Sequence, residues 1–277
     1  MNSMRKKNFS SIDLRWITGG LVIVFILAVI TTQTSAPLTL QIAHERLMMK
    51  IDPSGDRAYK YGTQHMDGED PRHYDIQAAE TFLKQAVKLD PNLLYVHHQL
   101  ARVAFLKGDF STALFHINLQ IQKHGKDTPN SYYVRGLIEG YMGDYASAAE
   151  DYEKFLKVAP YNWAAINDYA WVLLKDERFE EAARATEEGL KHFPENPWLL
   201  NSSAIALYEI GDIEKAHERV QKAWAQVQNI SKEEWLHSYP GNDPAVAGEG
   251  IATFHDAVAQ NVQKIDAALA LESKPQQ

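Results

Sequence analysis

The feature that most limits what this chain can fold into is a period of about 34 residues. "GDFSTALFHINLQI" begins at Gly108, "GDYASAAEDYEKFLKVAPYN" at Gly143, "ERFEEAARATEEGLKHFPEN" at Glu177 and "GDIEKAHERVQKAW" at Gly211, at intervals of 35, 34 and 34 residues. A period of this size specifies a stack of like units, each too small to bury its apolar face alone. Small residues keep the register: Ala101, Gly136, Ala170 and Ala204 in the first helix of each unit, and Ala113, Ala148, Ala182 and Ala216 in the second. Small side chains at facing positions let two helix backbones approach, and larger ones fill the grooves beside them. Val87, Ile121, Leu156, Leu190 and Trp224, spaced 34 or 35 apart, are the expected seal between units.

The turns follow from the same repeat. Gly108, Gly143 and Gly211 suit a left-handed helix ending, where a Cβ would clash. Asp109, Asp144 and Asp212 are placed to accept the free N–H groups of the second helix. Phe110, Tyr145, Phe179 and Ile213 form an apolar plug between the two helices, and Pro91, Pro160 and Pro194 stop the second helix because they lack an N–H. Glu177 stands where the other units have glycine, at an expected strain on the order of 1 kcal/mol.

This pattern resembles the tetratricopeptide repeat, a helix-turn-helix unit of 34 residues. The small residues carry the resemblance, with Tyr152, Phe155 and the Asp90-Pro91-Asn92 and Pro194-Glu195-Asn196 ends. Four units run from about residue 94 to 228. A degenerate fifth precedes them: "DRAYKYGTQHM" offers Gly62 at the small position, "AAETFLKQAVKLDPN" is its second helix, and "DGEDPRHYDI" lengthens the turn between. "ERLMMKIDPSG" (45–55) reads as the tail of an earlier second helix, and "QKHGKDTPN" (122–130) carries a short insertion. The expected fold is all-α: an α-solenoid of about five repeats with a C-terminal capping helix, preceded by one N-terminal transmembrane helix. The boundaries are a basic cytoplasmic N-terminus (1–15), a transmembrane signal-anchor (16–36), a juxtamembrane helix (37–54), the solenoid (55–228) and the cap (229–277).

The membrane helix rests on "WITGGLVIVFILAVITTQTSA", 21 residues without a charge from Trp16 to Ala36. At a rise of ~1.5 Å per residue it would span roughly 31 Å, close to the hydrocarbon thickness of a bilayer. Its last third is polar, so the firm apolar core is Ile17 to Ile30. A cleaved signal peptide is the alternative, but Pro37 directly follows the natural cleavage point after Thr34-Ser35-Ala36, which favours an uncleaved anchor. Basic residues precede the span, so the N-terminus is expected in the cytoplasm and the rest outside, the periplasm in a bacterium. Residues 1–15 carry +3 of a net charge of −8, leaving −11 on the remainder. An acidic body disfavours nucleic acid and favours basic partners. There is no cysteine, which removes disulfides and thiolate metal sites.

At the C-terminus, Ser231 and Glu234 have capping-box spacing. Pro244 fits the first turn of a helix with Asn242 or Asp243 as its cap. Ile251, Phe254, Val258, Val262, Ile265 and Leu269 then form one apolar stripe, expected to close the array's open end or to serve self-association. "YPGNDPAVAGEG" has no assignment from pattern.

The resemblance implies a concave surface lined by first helices on which protein segments lie. Carried over by position, its candidates are Tyr95, His98, Arg102 and Phe105, then Tyr133, Leu137 and Tyr141, then Asn167, Trp171 and Lys175, and finally Trp198, Asn201 and Tyr208. The family's chaperone-tail clamp needs Lys, Asn and Arg at set places, and Tyr133, Leu137 and Asp168 stand there instead, so that activity is not expected. Neither the eleven histidines nor any motif offers metal-ligand spacing, a phosphate loop or a nucleophile elbow. The expected function is therefore a membrane-tethered protein–protein adaptor without cofactor, metal or catalysis, serving envelope assembly or a process like cytochrome c maturation. A self-assembling structural protein, using the C-terminal stripe or an open repeat edge, is the rival. Cleavage of the N-terminal segment would make the protein secreted.

Overall fold

A computed structural model of the chain describes residues 38–68, 72–238 and 242–272. Among them are thirteen α-helices, one 3-10 turn and no strand. The proposed span at 16–36 lies outside the described residues, and no described helix is long and apolar enough to cross a membrane. The chain divides into two units, residues 1–51 and 52–277. Of the first, helix α1 (Leu38–Ile51) is described; it ends just ahead of Pro53.

The second unit is the repeat array. Five helical hairpins follow one another: α2 (Gly55–Gln64) with α3 (Ile76–Leu89), α4 (Val96–Leu106) with α5 (Phe110–His124), α6 (Asn130–Met142) with α7 (Tyr145–Leu156), α8 (Trp163–Lys175) with α9 (Phe179–His192), and α10 (Pro197–Glu209) with α11 (Ile213–Val227). The short α12 (Lys232–Ser238), a 3-10 turn (Pro244–Val246) and the long α13 (Ala247–Glu272) close the chain.

The turns are built as their residues dictate. Gly108, Gly143 and Gly211 have φ of +74°, +88° and +84°, and Glu177 takes the same left-handed conformation at +59°. In each, the following residue's N–H returns to a carbonyl five residues earlier, as from Asp144 to Glu139 (3.0 Å), which satisfies a carbonyl left open at the helix end. Asp109, Asp144 and Asp212 accept from the N–H groups of Thr112, Ser147 and Lys215 at 3.1, 3.2 and 3.4 Å. At the Glu177 turn the cap position holds Arg178, which makes no cap bond and instead pairs with Glu181 at 2.8 Å.

Close approach is visible at every small position. Ala101, Ala170, Ala204, Ala113, Ala148, Ala182 and Ala216 are fully buried. A Cβ on Gly136 would lie 3.1 Å from the Ala148 carbonyl, and one on Gly62 would lie 2.6 Å from Leu83, so the degenerate first hairpin uses the same device. Its long turn is pinned by His65, whose ring nitrogen meets the His73 carbonyl at 2.8 Å and whose ring stacks on Phe82. Of the sealing row, Leu190 is buried, while Val87, Ile121, Leu156 and Trp224 are half-buried.

α13 takes the place of a sixth first helix, lying mainly against α11 and touching α10. Ala247, Val258 and Ile265 are its fully buried residues, and the rest of the stripe is half-buried. Ser231 and Glu234 form the reciprocal capping box at 3.1 and 2.8 Å. Asp243 is the cap before Pro244, accepting from Ala245 N–H at 2.8 Å. The unassigned segment has a packing role as well: a Cβ on Gly250 would lie 2.2 Å from the Trp235 ring, so α12 rests on α13 where α13 has no side chain.

Candidate functional site

The first helices α4, α6, α8 and α10 recur at a fixed period, so residues sharing a repeat position form rows across them. His98, Tyr133, Asn167 and Asn201 form one row, and Arg102, Leu137 and Trp171 another. Both rows line a groove of about 660 Å³. Aromatic rings make much of its surface. Phe105 meets Tyr141 edge-to-face at 5.1 Å, and Tyr141 lies 5.6 Å from Trp171. Toward the C-terminal end, Trp163, Trp198 and Phe254 follow at 5.1 and 5.2 Å, the last pair parallel.

A polar ladder runs along the same surface and ties each helix to the next. Tyr133 on α6 donates to Asp168 on α8 at 2.7 Å. Ser202 on α10 donates to the Asn167 side-chain oxygen at 2.8 Å, and the Asn261 amide on α13 donates to Asn201 Oδ1 at 2.9 Å. Burial raises the Asp168 pKa to about 6, against the lowering effect of hydrogen bonds from Tyr133 and Asn167. Burial likewise holds the His98 pKa down to about 3, with the Arg102 charge adding to the effect. Tyr74, in the turn before α3, is pushed up to about 12 by burial and by the Asp243 carboxylate, opposed by Arg102. The turn of the first hairpin and the segment before α13 therefore approach one another near Arg102, and Ser238 and Asn242 join the groove wall.

Ten of the thirteen candidates are brought together here: His98, Arg102, Phe105, Tyr133, Leu137, Tyr141, Asn167, Trp171, Trp198 and Asn201. Two of these are not the exposed residues expected. His98 and Trp198 are each only 7% exposed, because neighbouring helices pack over them, and they hold the wall rather than project from it. The remaining three lie elsewhere. Tyr95 occupies the α4 cap position with φ +67° and sits edge-on to His98. Lys175 is exposed outside the groove, and Tyr208 is covered by α13, with the Lys264 ammonium 4.1 Å from its ring centre.

Sequence reasoning noted Asp168 only as a departure from the chaperone-tail clamp and did not note Ser202, although both fall one residue after the chosen row, at the register of Gln99 and Val134. It also missed Asn130, Phe155, Asn162 and Trp163, and it had no repeat with which to align Ser238, Asn242 or Phe254. Among the described residues, no group of three or more histidines and carboxylates could hold a metal ion.

Comparisons with known proteins agree with this architecture. Residues 133–197 and 173–236 each match a family model described as tetratricopeptide repeat. A curated relative, the BBSome complex member BBS4 homolog of Drosophila melanogaster, is 23% identical over 227 residues, covering 78% of this chain and 43% of the relative. The chain thus spans less than half the length of that relative. Among solved structures, MamA AMB-1 superposes with a TM-score of 0.53 at 18% identity, covering 61% of this chain and 99% of that one. MamA MSR-1 does so with a TM-score of 0.52 at 18% identity, covering 62% and 97%. At this level of identity the likeness is one of fold.

Proposed function

Because the chain belongs to the tetratricopeptide-repeat family, we propose that it is an adaptor that holds a segment of another protein in the groove built by α4, α6, α8 and α10. The observation that carries this reading is the convergence of side chains from four consecutive repeats on one recessed surface of aromatic rings and amides. Such a lining gives large contact area at low entropy cost together with hydrogen bonds for a backbone. It supports binding rather than turnover, so the protein acts without catalysis. Its relative's description as a member of a complex accords with this class of role.

The reading extends to placement. The uncharged stretch 16–36, the basic residues before it and Pro37 after it support an uncleaved anchor with the array outside the membrane. There the adaptor would gather proteins for envelope assembly or for maturation of a cytochrome c type. The rival, a self-assembling structural protein, draws on exposed apolar residues such as Phe115 and Val158, 60% and 64% exposed. Light scattering on the full chain separates the two: a monomer at micromolar concentration removes the rival.

Affinity capture from cells tests the adaptor directly. Trp171→Ala and Tyr133→Ala, checked for retained helicity, are expected to lose proteins captured by the unaltered chain. Retention of every one of them would count against the groove.

A further inference from the structure

We infer that the middle of the groove receives one basic side chain, a lysine or arginine of a partner protein, laid against the adjoining Tyr141 and Trp171 rings with its charge toward Asp168. The inference rests on the proposed reading of the groove as a protein-binding face and names the chemistry of its occupant.

Asp168 lines the groove and accepts hydrogen bonds from Tyr133 and Asn167, both neutral. Among the described residues it forms no ion pair, and no cation contributes to its electrostatics. A recessed carboxylate held only by neutral donors recovers part of the solvation it gave up, and a cation would recover more. The displaced pKa is the sign of that shortfall. The fold itself does not call for an acid here. Gln99, Val134 and Ser202 occupy the same register in the neighbouring repeats and are accommodated by the same helix packing.

The surroundings suit a cation. Trp171 lies one turn beyond Asp168 on α8, with the Tyr141 ring beside it. Indole and phenol faces attract lysine and arginine heads, and apolar walls accept their alkyl stems. The charge of −11 outside the first 15 residues favours the approach of basic segments. Arg102, which lines the groove two repeats earlier, opposes a uniformly basic ligand. The occupant is therefore a segment with a basic residue at one position, not a polybasic run.

The test uses mixtures of dodecapeptides with one fixed central residue (lysine, arginine, Nε-acetyl-lysine, glutamine or glutamate) and randomised flanks, titrated onto the full chain by tryptophan fluorescence. The lysine and arginine pools are expected to bind about tenfold more tightly than the others. Asp168→Asn should abolish that preference, as should lowering the pH from about 7.5 to about 5, where the carboxyl is protonated. Tyr133, Tyr141 and Tyr152 are the titratable groups facing Asp168, and burial raises the pKa values of Tyr141 and Tyr152 further above that range. Asp168→Ser, which copies the register residue of the next repeat, serves if the asparagine variant folds poorly. Asp168→Asn, which keeps an oxygen to accept from Tyr133, should melt no lower than the unaltered chain, since a charge that burial disfavours has been removed.

An acetyl-lysine pool that binds as tightly as the lysine pool, or a basic preference that survives Asp168→Asn, would overturn the inference. If Trp171→Ala still abolished binding, the groove itself would stand. Failure of every pool to bind in a Trp171-dependent way would overturn both readings. Spermidine matching the lysine pool would overturn the inference too, because the occupant would then be a small amine.

Discussion

His97 and His98 are adjacent on α4, both are buried, and they serve different contacts. The His97 ring stacks on His116, with their Nδ1 atoms 3.1 Å apart, so in the neutral pair one nitrogen donates and the other accepts. His98 Nδ1 meets the Ser131 hydroxyl at 3.1 Å, and its backbone N–H donates to Gln120. Burial lowers the two pKa values to about 4 and about 3. Since the folded state holds these rings neutral well below their ordinary pKa of ~6.5, their contribution is intact above that pH and erodes as the pH falls toward ~4. His98 alone should cost on the order of 1–2 kcal/mol between about pH 6.5 and about pH 5. Thermal melts should show the midpoint falling over this range, and His98→Asn should flatten the fall. An unchanged slope would mean that the ring gains a proton freely. That the two neighbouring histidines face different sides of α4 was legible from helix geometry. The His97–His116 contact was not, because it joins two helices at no repeated spacing. Asp168 was legible only as a departure from the clamp pattern and not as a groove residue beside Asn167: two neighbours on one helix both reach the groove, and the row rule chose only one.

At the scale of elements, the turns were the most readable part because each is fixed by local residue chemistry. Glycine permits the left-handed ending and aspartate caps the next helix, wherever the repeat places them. The long turn at 65–75 and the segment ahead of α13 were not readable, because an insertion has no counterpart in register and its position depends on distant packing such as Trp235 against Gly250. α13 is the element on which the last hairpin depends. Ile265 is fully buried in one cluster with Ala204, Ala216 and Val220. Ile265→Ala should destabilise the protein by about 2–4 kcal/mol. In an array held by neighbour contacts, the loss should fall first on hydrogen-exchange protection in α10 and α11, with α4 and α5 little changed. Equal loss everywhere would mean that the array opens as one unit and that α13 is no separate cap.

At the scale of the molecule, a period of 34 to 35 residues sets one surface of the array: because equivalent side chains recur on α4, α6, α8 and α10, a groove follows from the repeat itself. Its chemistry does not follow. The aromatic rows, the amide ladder and Asp168 are departures of individual repeats from one another, and those departures are where a particular partner is recognised. The second helices, by contrast, carry charged faces such as Glu187 and Glu188 on α9, both exposed. The most direct test of the account is site-specific photocrosslinking in intact cells with the full chain. A photoreactive residue is placed at Trp171 or Asn201 in the groove and, for comparison, at Glu188. The account predicts that groove positions trap the same partner while Glu188 traps none of it. Trapping at Glu188 with none at Trp171 or Asn201 would contradict it.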